Sequence, residues 1–85
     1  MSSAKEEIDL HGLTVDEAIV KIDRFLHTAF SRGLYFVWII HGKGTGKLRQ
    51  EVGRYLSNHP LVKSYGSADS SRGGAGATRV VLSER

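Results

Sequence analysis

The chain has 85 residues, of which 40% are hydrophobic and 25% charged, and its formal net charge at neutral pH is +3. This length suits one small folded domain, and the composition excludes an intrinsically disordered chain. Because there are no cysteines, disulfide bonds and thiolate metal sites are excluded. No apolar run approaches the ~20 residues of a membrane helix, and no signal peptide is recognisable. We therefore expect a cytoplasmic domain with no membrane partner.

The N-terminal part of the chain predicts a strand followed by a helix. Residues 6–10 alternate apolar and polar side chains, the pattern of a short strand. Thr14 and Glu17 have the spacing of a capping box, in which each side chain binds a backbone N–H at the start of a helix. Apolar residues then recur at steps of three and four, which predicts an amphipathic helix over about residues 15–32. Gly33 is suited to end it.

The middle of the chain predicts a buried strand and a second helix. Residues 34–40 (LYFVWII) are continuously apolar and rich in aromatic and β-branched side chains, which is typical of a strand buried on both faces. We therefore expect Tyr35 and Trp38 to lie in the core, where they are poor platforms for base stacking. The glycine-rich loop that follows opens a second helix over about Lys47–Ser57, and His59 with the proline after it ends that helix.

The C-terminal part predicts two further strands. Residues 61–65 form a weak strand pattern, residues 66–77 lack large apolar side chains and predict a loop, and residues 78–82 predict the last strand. The order β-α-β-α-β-β predicts an α/β (α+β) two-layer sandwich, with a four-stranded mixed sheet and two helices. The first crossover should be parallel and right-handed. We expect residues 6–85 to form this single domain and residues 1–5 to be a disordered or cloning-derived leader.

The loop at residues 41–47 (HGKGTGK) carries the clearest functional signal. Its glycines permit positive φ angles and bring successive N–H groups onto one concave surface. The helix that follows adds unpaired N–H groups and the positive end of its dipole, which together favour an anion. Basic side chains in and beside the loop add charge without an acid between them. The predicted phosphate and nucleic-acid ligands are Gly42, Lys43, Gly44, Thr45, Gly46, Lys47, Arg49 and Arg72.

Two familiar nucleotide motifs do not fit this loop. A P-loop has four residues between its first glycine and its Gly-Lys pair and then Ser or Thr, whereas three residues separate Gly42 from Gly46 and Leu48 follows Lys47. A dinucleotide fingerprint would need glycine at position 47. The pattern therefore favours phosphate binding without favouring ATP or NAD. The alternative is a glycine-rich turn that only makes a tight connection.

Two histidines form the second candidate group. His11 and His41 each follow a predicted strand, and parallel neighbouring strands would bring both to the same carboxyl edge, where open α/β folds bind ligands. With Asp9 they are candidate catalytic residues, one imidazole moving a proton and the carboxylate orienting it. The alternatives are strand-end capping by both histidines, or a divalent metal site (Mg or Mn) that uses all three residues. His27 and His59 are expected to be structural.

Most of the chain resembles a known family, the small MutS-related (Smr) domain. The segments that carry the resemblance are IDLHG at residues 8–12, TVDEA at 14–18, HGKGTGKLR at 41–49, NHPLVKSY at 58–65 and GGAGATRVVL at 73–82. Within the family, the chain is most similar to the C-terminal domain of the bacterial MutS paralogue that acts outside mismatch repair. This resemblance implies a fold similar to the C-terminal domain of translation initiation factor three.

The resemblance also implies a function. Such domains are associated with nicking endonuclease activity on DNA, and in some branches with RNA cleavage near stalled ribosomes. The family motif maps onto Asp9, His11, Gly12, His41, Gly42, Gly44 and Gly46. Many relatives of this branch have Arg where this chain has His11, which implies phosphate binding as an alternative to proton transfer there. The parent protein would be larger and would carry an ATP-binding domain.

The leading hypothesis from the sequence is an endonuclease module that hydrolyses phosphodiester bonds in DNA. In this hypothesis the glycine loop holds the phosphate, while His11 or His41 moves a proton and Asp9 orients it or contributes to a metal site. The rival hypothesis is a module without catalysis that tethers a larger MutS-like ATPase to DNA, RNA or the ribosome. A protein-interaction domain is a third class, but it leaves the lysines and glycines of the loop without a role.

Overall fold

A computed structural model describes residues 7–42, 46–67 and 76–83. The elements are β1 (Glu7–Asp9), α1 (Val15–Ser31), β2 (Phe36–Ile40), α2 (Lys47–Ser57), β3 (Val62–Ser67) and β4 (Ala77–Leu82). This order confirms the β-α-β-α-β-β prediction. The expectations for residues 1–5 and for the ligands Lys43, Gly44, Thr45 and Arg72 lie outside the described residues.

Local signals fix both ends of α1 as predicted. The Thr14 hydroxyl accepts a hydrogen bond from the Glu17 N–H at 3.2 Å, and the Glu17 carboxylate accepts one from the Thr14 N–H at 3.0 Å. Arg32 is the C-cap, and Gly33 follows with φ +78°, a conformation that a side chain disfavours. The buried residues of α1 recur at helical spacing and are Ala18, Ile22, Leu26 and Ala29.

The four strands form one mixed sheet in the order β1-β2-β4-β3. β1 and β2 are parallel, as predicted for the first crossover, whereas β4 is antiparallel to both β2 and β3. Both helices contribute to a single buried cluster with the sheet, so they cover the same face of it. The sheet residues in that cluster are Ile8, Leu10, Val37, Ile39, Val80 and Leu82. The domain is therefore a two-layer α+β sandwich.

The prediction that β2 is buried on both faces is wrong for part of the strand. Val37 is fully buried in the cluster with the helices, whereas Phe36 is 43% exposed and Tyr35, just before the strand, is 76% exposed. Trp38 is buried, as expected, in a small separate cluster with Ala77. The physical reason is the number of layers: α1 and α2 both lie on one face, and no helix within the described residues covers the other. We call that other face the open face of the sheet.

The second half of the chain differs slightly from its predicted bounds. β3 extends beyond the predicted residues 61–65 to Ser67, with an irregularity in its pairing between Val62 and Ser64. In α2, Val52 and Leu56 are buried against the core, as the periodicity predicted. Within the part of the chain that the structure describes, no helix combines the length and apolar character needed to cross a membrane.

Candidate nucleic-acid interface

The carboxyl ends of β1 and β2 meet at one edge of the sheet. The two strands pair in parallel with Asp9 opposite Ile40, and the Leu10 N–H donates to the Ile40 carbonyl at 2.7 Å. His11 and His41 each come directly after these paired positions. The structure thus brings both predicted histidines to the same edge, as the parallel crossover required.

His41 is buried at this edge, with 6% of its surface exposed. Its Nδ1 lies 3.0 Å from the Gly42 carbonyl oxygen, and its Nε2 lies 2.8 Å from the Thr78 hydroxyl. A carbonyl can only accept, so the hydrogen-bond network assigns the proton to Nδ1, and Nε2 then accepts from Thr78. Both ring nitrogens therefore have protein partners. This arrangement suits a residue that positions the loop and β4 better than one that exchanges protons with a substrate.

The glycines on either side of the predicted phosphate loop, Gly42 and Gly46, have the positive φ angles expected from the sequence. Gly42 has φ +83° and Gly46 has φ +86°. The N–H groups of His41 and Gly42 both donate to the carbonyl of Gly76, at 3.0 and 2.9 Å, which ties this loop to the start of β4. The loop therefore begins and ends on left-handed glycines, where a side chain would be strained.

The two helices begin in chemically opposite ways. α1 has the Thr14–Glu17 capping box and two acids in its first turn, whereas α2 starts at Gly46 with no side-chain cap and no acid in its first turn. The exposed side chains of Lys47 and Arg49 lie in that first turn of α2. The first N–H groups of a helix carry positive partial charge. Acidic side chains offset this charge in α1, whereas basic side chains add to it in α2. The start of α2 is therefore suited to an external anion.

Asp9 and His11 are both exposed at the edge. The Asp9 carboxylate accepts a hydrogen bond from the backbone N–H of His11 at 2.9 Å, so it orients the backbone of His11 rather than its ring. The chain then turns at Gly12, which has φ +86°. The imidazole of His11 forms no hydrogen bond with the described residues, which leaves it accessible to a substrate at this edge.

The residues at the edge do not assemble the metal site considered from the sequence. Both ring nitrogens of His41 are engaged by protein groups. Within the described ranges, the ligand atoms of Asp9, His11 and His41 also do not form a group close enough to share one ion. No step of the chemistry is therefore assigned to a metal held by these three residues.

A different cluster, which the sequence reasoning missed, joins α1 to the end of α2. Oδ1 of Asp23 accepts hydrogen bonds from Nε2 of His59 at 2.9 Å and from the Tyr55 hydroxyl at 2.8 Å. Nδ1 of His27 lies 3.6 Å from the same oxygen. Ligand atoms of Asp23, His27 and His59 lie within 4.8 Å of one another. The available sequence signal was the spacing of four residues between Asp23 and His27, which places both on one helix face.

The hydrogen bonds of this cluster oppose its use as a metal site. The Leu61 N–H donates to Nδ1 of His59 at 3.1 Å, so the proton of a neutral His59 ring is on Nε2, facing Asp23. A metal on Nε2 would move that proton to Nδ1, against the Leu61 N–H. Metal-binding histidines instead need an acceptor for their second nitrogen. The cluster is thus a structural clamp, in agreement with the structural role expected for His27 and His59.

The clamp changes the proton affinities of two of its members. The hydrogen bond from His59 is the main cause that lowers the pKa of the Asp23 carboxyl below its ordinary value, and the Tyr55 hydroxyl adds to it. Burial raises the pKa of Tyr55 to about 12, with a further contribution from the hydrogen bond to Asp23. Near neutral pH, Asp23 is therefore ionised and accepts hydrogen bonds, and Tyr55 is protonated and donates one.

Comparison with known proteins agrees with this architecture. Residues 8–83 match the model of the Smr domain family. Endonuclease MutS2 of Thermomicrobium roseum is 50% identical over 76 residues, which are 89% of this chain and 10% of that protein. This chain thus spans about a tenth of the length of that relative.

Two solved structures are closely similar in fold. The crystal structure of the Smr domain of Thermus thermophilus MutS2 has a TM-score of 0.89 at 42% identity, covering 92% of this chain and 98% of that chain. YdaL, a stand-alone small MutS-related protein from Escherichia coli, also has a TM-score of 0.89, at 32% identity, covering 96% of this chain and 67% of that chain. With its sequence, its fold and its glycine-bracketed loop in agreement, the chain belongs to the Smr domain family.

Proposed function

We propose that this domain binds nucleic acid at the carboxyl edge of β1 and β2 and nicks DNA there by hydrolysing a phosphodiester bond. One observation carries the proposal. α2 starts with no side-chain cap, no acid and exposed basic side chains, and the loop before it follows the sheet edge where the accessible His11 is found. Relatives named as endonucleases support the reaction class. The relatives' greater length supports a place within a larger protein.

The start of α2 is the proposed phosphate site. The N–H groups of its first turn point out of the helix and favour an anion, and Arg49 offers a planar guanidinium that can bind two phosphate oxygens. Lys43, outside the described residues, is proposed to add charge from the loop. These groups would also stabilise the extra negative charge that develops on the phosphate oxygens during hydrolysis.

Of the two histidines, His11 is the better candidate for proton transfer. Its ring is exposed and makes no hydrogen bond with described residues, whereas the buried His41 uses both nitrogens within the protein. In the proposed step, His11 removes a proton from the attacking water as the new P–O bond forms and the bond to the leaving oxygen breaks, and the leaving oxygen takes a proton from solvent. Asp9 holds the His11 backbone, and His41 holds the loop.

A plasmid-nicking assay tests this proposal. Wild-type domain should convert supercoiled plasmid to the open-circular form, and His11→Gln should slow that conversion by about 100-fold, the lower end of general-base contributions. His27→Gln, which changes an exposed histidine on α1 away from the strand edge, is the matched control and should nick normally. Chelator should not abolish nicking if no metal takes part. Equal nicking by the wild type and His11→Gln would contradict the assignment of His11.

A second function, binding without cleavage, is favoured by the engagement of both His41 ring nitrogens. In that case the domain tethers its parent protein to DNA, RNA or the ribosome through the start of α2. The plasmid would stay intact, while binding would weaken steeply as salt is raised. Arg49→Gln should then weaken binding to all sequences alike and reduce the salt dependence by about one phosphate contact.

A further inference from the structure

The open face of the sheet carries a row of three residues across neighbouring strands. Trp38 on β2 pairs with Arg79 on β4, and Arg79 pairs with Gly66 on β3. Directly paired residues of antiparallel strands point to the same side of a sheet, so all three positions share one face. An indole, a guanidinium and a position without a side chain thus lie side by side.

Gly66 leaves a depression in this row. A Cβ atom added to Gly66 would meet nothing within 4 Å, and its backbone is not in the left-handed region. The depression belongs to a groove of about 440 Å³ whose lining includes Trp38, Ser64, Ser67 and Arg79. We call it the Trp38 groove. Its volume is in the range, roughly 300–1,000 Å³, of pockets that bind small organic groups.

The lining of the Trp38 groove matches the parts of a nucleotide. Trp38, which is 9% exposed, forms an apolar wall of the groove, two serine hydroxyls offer hydrogen bonds to a base, and Arg79 offers a contact to phosphate. Arg79 is exposed and forms no ion pair with the described residues, and none of the described residues that line the groove is acidic. The groove is therefore complementary to an aromatic ring that carries negative charge.

An aromatic surface extends beyond the groove along β2. The ring of Phe36 packs edge-on against Trp38, with ring centroids 5.0 Å apart and planes at 87°. Phe36 is 43% exposed. Bases that are paired within a duplex stack on one another and do not offer their faces, so exposed rings on a sheet surface are suited to unpaired bases.

We propose that the Trp38 groove binds an unpaired nucleotide of a single-stranded nucleic acid. This inference rests on the proposed function and specifies its substrate class. Trp38 lies on β2, the strand that precedes α2 in the chain, and the proposed phosphate site is at the start of α2. The preferred substrate is then a nucleic acid with a single-stranded segment beside the bond that is cut.

Trp38 is the single tryptophan of the chain, so its fluorescence reports on the groove directly. The test titrates a short oligo(dT) strand into the domain while following tryptophan emission, with an oligo(dA)·oligo(dT) duplex of the same length in parallel. We expect saturable quenching by the single strand and weaker quenching by the duplex. Binding of the single strand, shown by anisotropy of a labelled copy, without any change in emission would overturn the proposal. Equal quenching by the duplex would overturn the preference for unpaired bases.

Substitutions at Gly66 fill the groove without removing any contact. Gly66→Leu should weaken oligo(dT) binding at least fivefold, the lower end of measured base–aromatic contributions, and should abolish the quenching. Gly66→Ala, which leaves most of the groove open, should bind nearly as well as the wild type. Arg79→Gln should weaken binding, whereas Arg54→Gln, an equal change of charge on α2 in the other layer, should not. Unchanged affinity and quenching in folded Gly66→Leu would exclude the groove as the site.

The same titrations separate this inference from the proposed function. Arg49→Gln should weaken single-strand and duplex binding alike while leaving full quenching at saturation. If Arg49→Gln has no effect but Gly66→Leu abolishes quenching, the phosphate site at α2 fails and the groove stands. If Arg49→Gln weakens binding but the Gly66 variants do not, the groove fails and the phosphate site stands.

Discussion

Nε2 of His59 donates a hydrogen bond to Oδ1 of Asp23 over 2.9 Å, across 36 residues of sequence, with the His59 side chain 4% exposed. This contact ties the residue that follows α2 to the middle of α1. Because both helices cover the same face of the sheet, the clamp fixes how the helix that starts at the proposed phosphate site packs on the core. Stability and the geometry of that site are therefore linked.

Removing the Tyr55 hydroxyl should weaken the clamp without disturbing its packing. Tyr55→Phe deletes only the hydrogen bond to Asp23 and should lower the free energy of unfolding by about 1 kcal/mol. Urea denaturation followed by circular dichroism measures the change. Tyr35→Phe, which removes an exposed hydroxyl outside the clamp, is the control. A loss of equal size in both variants would contradict the role of the hydrogen bond.

The lowered pKa of Asp23 predicts a specific loss of stability in acid. A carboxyl with a lower pKa in the folded state contributes stability above its unfolded pKa, near 3.8, and loses that contribution as the pH falls through the folded value. Wild-type stability should therefore fall more steeply below about pH 4 than that of Asp23→Asn. Denaturation midpoints between pH 2 and pH 6 test this. Parallel curves for the two proteins would exclude the clamp as the cause.

Tyr55 predicts that the clamp also loses stability at high pH. Its pKa is raised to about 12 from an ordinary value of 10.0, so its contribution to stability is complete below pH 10 and is lost as the pH rises towards 12. Spectrophotometric titration should show one tyrosine that ionises later than the others. That late step should disappear in Tyr55→Phe, and its persistence there would show that another tyrosine is responsible.

The start of α2 should not tolerate a side chain on its glycine. Gly46 has φ +86°, so Gly46→Ala should lower the free energy of unfolding by about 1 kcal/mol through backbone strain. Gly66→Ala provides the contrast, because its backbone is not left-handed and its Cβ meets open space. Thermal denaturation of both variants measures the difference. Equal melting temperatures would mean that the chain relaxes at Gly46 without cost.

Thr78 should matter for His41 through its hydroxyl. Thr78→Val removes the donor to the buried Nε2 of His41 and should cost about 1–3 kcal/mol, the usual penalty for an unpaired buried polar group. Thr78→Ser keeps the hydroxyl and should retain most of the stability. If Thr78→Ser, which keeps the hydroxyl, loses as much stability as Thr78→Val, the hydrogen bond to His41 does not set the stability of this contact.

Helix boundaries and the order of the elements along the chain followed from short-range signals. The capping box of Thr14 and Glu17, the apolar spacing of α1 and the glycine before Lys47 each act within a few residues, so their consequences are readable without knowledge of the fold. The parallel pairing that brings His11 and His41 to one edge also followed, because a helical crossover between consecutive strands enforces it.

Other features of the candidate sites depended on contacts that the sequence does not encode locally. Nothing near His41 indicates that Thr78, 37 residues away, occupies its second nitrogen. The expectation that Tyr35 is buried failed because the apolar run does not show that the strand begins only at Phe36, which leaves Tyr35 just outside it.

The sequence by itself determined the elements, the phosphate-favouring start of α2 and the family, since these rest on local periodicity, capping and motif spacing. The tertiary structure alone decided which histidine is accessible, which residues clamp α1 to α2, and which face of the sheet α1 and α2 leave uncovered. These outcomes depend on side chains that meet only after distant strands and helices have packed.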